Sequence, residues 1–249
     1  MITEDAVAPY RRGRFGRPYL WHETCTSTQD VLRHSPLPEG AVAVAEEQTA
    51  GRGRSGRSWE AQPGAAILVS VLLRPESSIA IPQLSLVAGL AVAEALDEVT
   101  GLEAMVKWPN DVILGDRKVA GILLETDADT VVCGIGINVS QAEATLPVRP
   151  ALPAGSLASV TGGAYDRAQV LGAVLNALER RYDAFRAEGI GPLVQVLERR
   201  NWLRERRVET ASGLGTAGAL APDGRIAVVY DDGAAELVAS GELTLARSP

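Results

Sequence analysis

The chain is poor in cysteine, histidine, aromatics and, above all, lysine. Its two cysteines, Cys25 and Cys133, form no CxxC pair, and its two histidines, His22 and His34, complete no zinc set. A disulfide framework and a structural zinc site are excluded as organising features, and a reduced, cytoplasmic setting is the simplest expectation. No apolar run reaches bilayer length, since the longest, around residues 84–96, is interrupted by Glu94. The N-terminal stretch carries Glu4 and Asp5 in place of a signal-peptide core. Aromatics make up only 4% of the residues, so the core has to be built from Ala, Val, Leu and Ile.

What is present fits a folded chain of 249 residues, 46% apolar and 22% charged. The net charge of −7 argues against a surface basic throughout, as a general nucleic-acid binder would need. Positive charge is instead clustered at 11–17, 51–57 and 199–207. Of 24 basic residues, all but two are arginine; the exceptions, Lys107 and Lys118, share one segment. Where any cation suffices, arginine has been used. The two retained lysines therefore mark places that need a compact ammonium rather than a guanidinium fork.

Hydrophobic patterning outlines an α+β fold. A helix starts at 26–33, with Thr26 or Ser27 as its cap, and strand-length apolar runs occupy 41–47 and 66–73. Pro82 opens a helix to about Val99. Short strands at 104–108, 111–114, 119–125 and 131–139, punctuated by turn residues, predict adjacent antiparallel hairpins. Residues 141–164 read as a surface segment. Asp166 caps a long helix stopped by Gly189, and Pro192 starts another to about Leu203. From residue 204 onward, short segments separated by Gly and Asp-Gly turns predict a small all-β barrel. The expected organisation is one mixed sheet with helices on one face (residues 1–203) and a β appendage (residues 204–249).

Four strings carry candidate chemistry. In 46–59, EEQTAGRGRSGRSW, glycines let the backbone come close to a ligand, while Arg52, Arg54, Arg57 and Trp59 can clamp phosphates and stack on a base. No GK[ST] follows, so this is not a P-loop. Taken alone, the run could equally be a solvated Gly/Arg loop that contacts RNA. In 107–112, KWPNDV, Pro109 fixes a turn from which Lys107, Asn110 and Asp111 emerge together, a set suited to a metal–nucleotide complex; the other reading is a plain hairpin turn. In 117–125, RKVAGILLE, Gly121 interrupts a strand and marks a bulge or a close approach. In 134–138, GIGIN, two more glycines would leave room for a flat ligand, and Asn138 could reach a phosphate.

Together and in this order, from Thr26-Ser27-Thr28 to GIGIN, these strings resemble the biotin–protein ligases over roughly residues 20–140. ASGEL at 239–243 resembles the end of that family's C-terminal domain. The resemblance implies a catalytic sheet like that of class II aminoacyl-tRNA synthetases, followed by an SH3-like barrel. It also implies ATP and biotin as substrates with Mg²⁺, and a biotin carboxyl carrier domain of acyl-CoA or pyruvate carboxylases as partner. Carried over by position, biotin would meet Ser27, Thr28, Gln29, Gln48, Arg52, Gly53, Arg54 and Lys118, over a floor of Gly121, Gly134 and Gly136. The nucleotide would meet Arg54, Arg57, Trp59, Asn110 and Asn138, with Lys107 and Arg54 at the reacting groups and no resident protein-bound metal. Gln29 departs from the family's usual Asn. Only 26 residues precede Ser27, and prolines and glycines break them up, so the expectation is a ligase without a DNA-binding helix-turn-helix and without membrane or nucleic-acid partners. Lipoate–protein ligases share the architecture and form the nearest alternative.

Overall fold

The computed structural model describes residues 1–75, 81–127, 129–147 and 152–246. The elements, in chain order, begin with α1 (Glu4–Val7), β1 (Tyr19–Cys25), α2 (Thr28–Leu32), β2 (Val42–Gln48), β3 (Ala66–Leu73) and α3 (Ile81–Thr100). Next come β4 (Met105–Lys107), β5 (Asp111–Leu114), β6 (Arg117–Asp127), β7 (Thr130–Asn138), α4 (Leu157–Thr161), α5 (Arg167–Glu188) and α6 (Gly191–Arg199). The chain closes with β8 (Arg207–Thr210), β9 (Gly213–Leu220), β10 (Ile226–Tyr230), β11 (Ala235–Val238) and β12 (Thr244–Leu245).

The first seven strands form one mixed sheet, ordered β1-β2-β3-β7-β6-β5-β4, in which β1 and β2 are parallel and every other pair is antiparallel. Because side chains alternate across a strand, one face is apolar and the other is left for chemistry. Val42, Val44, Ile67, Val69, Val71, Cys133, Ile135 and Ile137 belong to the main core together with α3 and α5. The opposite face carries Ala43, Leu72 and Val132 under Leu32 of α2. The same alternation puts Gly134, Gly136 and Asn138 on the face away from α3 and α5.

Local signals account for several boundaries. The Ser27 side chain caps α2 by accepting from the Gln29 N–H, and Asp166 caps α5 by accepting from the Ala168 N–H. Three expectations need correction. The segment 141–164 contains α4, set by a reciprocal Ser156/Ser159 capping box; residues 148–151 of that segment lie outside the described residues. The helix after Pro192 ends at Arg199, not Leu203, because the Arg200 carbonyl and the Trp202 N–H pair with Val106 on β4. The C-terminal strands occur about where expected but form an open five-stranded sheet, β11-β10-β9-β8-β12, and no ladder joins β11 to β12 among the described residues, so this sheet does not close into a barrel by hydrogen bonding. It is tied to the larger sheet by the Trp108 indole N–H on the Gly224 carbonyl (3.1 Å).

Four of the five arginines in the basic run 199–207 are paired with carboxylates of the chain. Arg200 pairs with Asp97, Arg204 with Glu198, Arg206 with Asp116 and Arg207 with Asp231. Among the described residues, no helix is long and apolar enough to cross a membrane.

Candidate active site

Register builds the site. Cross-strand partners share a face, and one lateral row of the sheet reads Lys107, Asp111, Gly121, Gly136 and Leu68. The next row includes Leu123, Gly134 and Ser70. Glycines at the centre of both rows leave a depression bounded by charge at one end and by α2 at the other. An open cavity lies over it, lined from both rows, from α2 and from the loop after β2.

Every residue expected to meet biotin lines this cavity: Ser27, Thr28 and Gln29 from α2 and its cap, Gln48 from the end of β2, Arg52, Gly53 and Arg54 from the loop that follows, Lys118 from β6, and the three floor glycines. Arg57, Trp59 and Asn110 line it as well. Asn138 instead faces an adjoining cavity, shared with Trp59 and Lys118, and donates from Nδ2 to the Gly155 carbonyl at 2.9 Å. Lys107 is not among the lining residues. It is 6% exposed and sits behind Asp111, with Nζ 4.0 Å from the nearer carboxylate oxygen. Lys118 Nζ is 2.6 Å from the other oxygen of Asp111, so one carboxylate lies between both lysines of the chain. Asp111 stood in the KWPNDV string as a neighbour, and only the register reveals its bridging place.

The Gly/Arg loop is a narrow hairpin rather than an open coil. The Gly53 N–H bonds the Arg57 carbonyl (2.7 Å) and the Trp59 N–H bonds the Gly51 carbonyl (2.9 Å), with Ser55 and Gly56 at positive φ at the tip. A Cβ at Gly51 would lie 2.4 Å from the Trp59 carbonyl oxygen, so this glycine serves the loop's own closure. The arginines have distinct duties. Arg52 forks between Asp30 (2.8 and 3.0 Å) and Glu125 (3.0 Å to each oxygen), pinning the loop to α2 and β6. Its guanidinium is the first cause holding the Asp30 carboxyl below the ordinary range. Arg54 donates to Asn110 Oδ1 (3.0 Å) and to the Gly241 carbonyl (3.2 Å), while Arg57 pairs with Glu242 (2.7 Å). Asn110 also donates to the Ile122 carbonyl (2.9 Å), so it positions Arg54 against the sheet.

The Trp59 indole lies on the floor. A Cβ on Gly136 would fall 2.4–2.8 Å from three of its ring atoms, and one on Gly121 would fall 3.0 Å from a fourth. Lys118 Nζ stands 5.8 Å from the ring centroid, and the indole N–H is buried without an acceptor among the described residues. At the α2 end, Thr28 is fixed by Gln48 Oε1 (2.8 Å from its N–H) and by the Ser70 hydroxyl (2.8 Å). Ser70 went unnoticed in sequence because it sits in an otherwise apolar strand.

Burial holds the Lys107 ammonium below the ordinary lysine range; Asp111 opposes the shift, and Lys118 adds to it. More weakly, Glu242 raises the pKa and Arg57 lowers it further. Burial also pushes both thiols up, Cys133 to about 12, so neither is a nucleophile at neutral pH. Among the described residues no cluster of His, Cys, Asp and Glu could hold a metal by itself. The donors in the cavity, Asp111 with the Asn110 amide, suit a hard cation that arrives already bound to phosphates and water.

Comparison with known proteins agrees with this arrangement. A family described as "Biotin/lipoate A/B protein ligase family" matches residues 19–140. The Bacillus subtilis "Bifunctional ligase/repressor BirA" is 37% identical over 187 residues, 72% of this chain and 58% of that protein. The chain thus spans little more than half the length of that relative. The Paracoccus denitrificans "Biotin--[acetyl-CoA-carboxylase] ligase" is 37% identical over 68% of this chain and 75% of its own length. Among solved structures, the biotin protein ligase from Aquifex aeolicus in complex with biotin and ATP superposes with a TM-score of 0.82 at 33% identity, covering 92% of this chain and 98% of that one. On this sequence and structural evidence, the chain belongs to the biotin–protein ligases of the biotin/lipoate ligase family.

Proposed function

We propose that this chain activates biotin with ATP and then transfers it to a lysine of a biotin carboxyl carrier domain, with residues 1–203 as the catalytic unit and 204–249 as the appendage. The observation that carries this reading is the lateral row itself: a glycine floor ending in Asp111 and the two lysines, roofed by the Gly/Arg hairpin. Glycines accommodate a flat bicyclic head, and the cations at the row's end suit a carboxylate meeting a polyphosphate.

In the first step a biotin carboxylate oxygen attacks the α-phosphorus of MgATP. A new P–O bond forms, the bond to the β-phosphate bridge breaks, and pyrophosphate departs, leaving biotinyl-5′-AMP. Two anions have to meet, so the chain's principal task is electrostatic positioning. Lys118, which lines the cavity, would meet the biotin carboxylate. Lys107, beside Asp111, would meet the α-phosphate oxygens as they gain charge. Arg54 and Arg57 would take the phosphates, with Glu242 and the Gly241 carbonyl giving up their arginine contacts. Asp111 and Asn110 would be the residues to hold a magnesium ion that arrives with the nucleotide, and that ion would supply neutralisation of phosphate charge.

In the second step the neutral amine of the acceptor lysine attacks the acyl carbon, AMP leaves with the bonding electrons, and the new amide nitrogen loses a proton. The mixed anhydride survives only while water is excluded, a role that suits the hairpin and the Trp59 ring. The partner follows from the chemistry of biotin-dependent carboxylases, and the acetyl-CoA carboxylase named for the Paracoccus relative supports that class. The test is incubation with biotin, MgATP and an isolated carrier domain, read by intact mass. A covalent biotinyl adduct on the carrier is expected, and its absence with competent carrier and both small molecules would refute the proposal.

A further inference from the structure

The hairpin that roofs the glycine floor is held by two kinds of tie. At its root the Thr49 and Ala50 N–H groups bond the Cys25 and Thr26 carbonyls, both at 2.9 Å. Beyond that point the main-chain bonds of residues 51–59 stay within the hairpin, and side chains anchor it to the rest of the chain. At the tip, Arg54 and Arg57 bond the Gly241 carbonyl and Glu242, partners that a polyphosphate would replace. Arg52, nearer the root, is different. Its Nε and Nη2 donate to the two Glu125 oxygens, and its Nη1 and Nη2 to the two Asp30 oxygens, which leaves one guanidinium N–H uncommitted. Asp30 also accepts from Thr26 Oγ1 at 3.3 Å, and Glu125 also pairs with Arg33, the C-cap of α2. Two carboxylates and two guanidiniums thus close a neutral circuit that joins α2, β6 and the hairpin. Asp30, Arg33 and Glu125 do not line the cavity over the floor, so ligand contact does not account for them. Single exposed ion pairs contribute little, but forked arginine–carboxylate bonds joined in a network are the case in which such contacts count.

We infer that Asp30 and Glu125 are positioning residues for the second step: through Arg52 they hold the hairpin over the floor and decide whether the mixed anhydride meets a carrier amine or water. This rests on the ligase reading above and adds to it what retains the intermediate. In the wasteful reaction a water oxygen attacks the acyl carbon, the bond from that carbon to the phosphate oxygen breaks, and AMP leaves with the electron pair. A proton is released and biotin is regenerated. ATP draws Arg54 and Arg57 away from their partners at the tip, and pyrophosphate then departs with most of the phosphate that held them. At the adenylate stage the Arg52 fork is the side-chain anchor that depends on no ligand.

Asp30→Asn and Glu125→Gln remove charge while keeping shape. The full chain, given biotin and MgATP but no carrier, is followed by single-turnover adenylate formation and by steady AMP release, the leak. Each variant should raise the leak about two- to fivefold, and the two together roughly tenfold, as expected of partly exposed charge pairs. Adenylate formation at saturating substrates should stay within about twofold of parental, a split that a general loss of structure would not give. Arg33→Gln, which touches Glu125 but not the hairpin, should leave the leak at its parental value. Added salt should raise the leak of the parent and not that of the double variant, because it screens the pairs. Should a variant fail to fold, the salt series on the parent decides, and a leak indifferent to salt would overturn the inference. So would a parental leak in the double variant, an equal fall in formation and release, or Arg33→Gln leaking as much as the double variant. A parent that forms no adenylate would overturn the ligase reading as well. Normal adenylate formation with a leak blind to positions 30 and 125 would overturn this inference alone.

Discussion

Replacing Gly136 with alanine separates the two roles of the floor. A Cβ there would stand 2.4, 2.6 and 2.8 Å from Cε2, Cζ2 and Nε1 of Trp59, whereas carbon atoms pack at about 3.5–4.0 Å. The indole would have to retreat by about 1 Å. It cannot do so freely, because its backbone is bonded to Gly51 and the hairpin is pinned through Arg52 to Asp30 and Glu125. Overpacking of this kind costs about 1–3 kcal/mol. For a chain of this size that is a fall of about 2–12 °C in Tm. Scanning calorimetry of Gly136→Ala, Trp59→Ala and the double variant would show whether the ring is the cause. The double variant should recover most of the loss relative to Trp59→Ala alone, a coupling of about 1–3 kcal/mol. Biotin affinity should not recover: in the Trp59→Ala background the added methyl still occupies the floor, and a loss of tenfold or more is expected. Coupling below about 0.5 kcal/mol would refute the steric argument. Full recovery of biotin binding in the double variant would refute the assignment of Gly136 to the ligand floor.

The remaining predictions concern the charged end of the row. Lys107→Met should cut biotinyl-adenylate formation by ~10²–10³, the scale of one preorganised donor, and near-parental pyrophosphate release would reject the role. Folding lowers the pKa of Lys107, so its buried charge works against stability at pH values below that pKa and ceases to as pH rises beyond it. The same variant should therefore be at least as stable as the parent at pH 7; a clear drop in Tm would contradict this. The adenylation rate should decline in alkaline solution earlier than an ordinary lysine would dictate. Because Asp111 raises the Lys107 pKa, Asp111→Asn should shift that decline to lower pH, and a shift upward would count against the pairing. Lys118→Ala should weaken biotin more than ATP in equilibrium titrations, and equal losses would move Lys118 out of the carboxylate role. Glu242→Gln frees Arg57 from its 2.7 Å partner and should lower the KM for ATP several-fold; an unchanged KM would show that the pair does not compete with phosphate.

Much of the catalytic sheet was legible because its signals are local. The runs at 41–47 and 66–73, the hairpins from Ala104 to Val139 and the caps at Ser27 and Asp166 all depend on neighbours a few residues away. The strand β1 was not legible: YLWHETC has neither clean alternation nor a turn signal, and it becomes a strand by pairing in parallel with β2. The five-residue α4 escaped notice because its capping box lies within a segment rich in Pro, Gly and Ala. The C-terminal strands were readable from their turns, but closure depends on which edges meet, and the sequence pattern does not specify that. In the site, the resemblance named residues that, apart from Asn138 and Lys107, line one cavity, but it could not give their arrangement. The row from Lys107 to Leu68 is a matter of register, and the Gln29–Leu123 contact joins residues 94 positions apart. For the three arginines of the hairpin the resemblance implied ligand roles, Arg52 and Arg54 toward biotin and Arg54 and Arg57 toward the nucleotide, but not the protein partners that hold them. Their partners, Asp30 and Glu125 for Arg52, Asn110 for Arg54 and Glu242 for Arg57, give them different duties.

The central claim is that the glycine-floored row holds a carboxylate against the α-phosphate of ATP. Biotin-dependent exchange of labelled pyrophosphate into ATP, measured with the purified chain and magnesium but no carrier protein, tests it most directly. Label should enter ATP only when biotin is present, and Lys107→Met should lower the rate by two to three orders of magnitude. No biotin-dependent exchange in a folded, biotin-binding sample would contradict the claim.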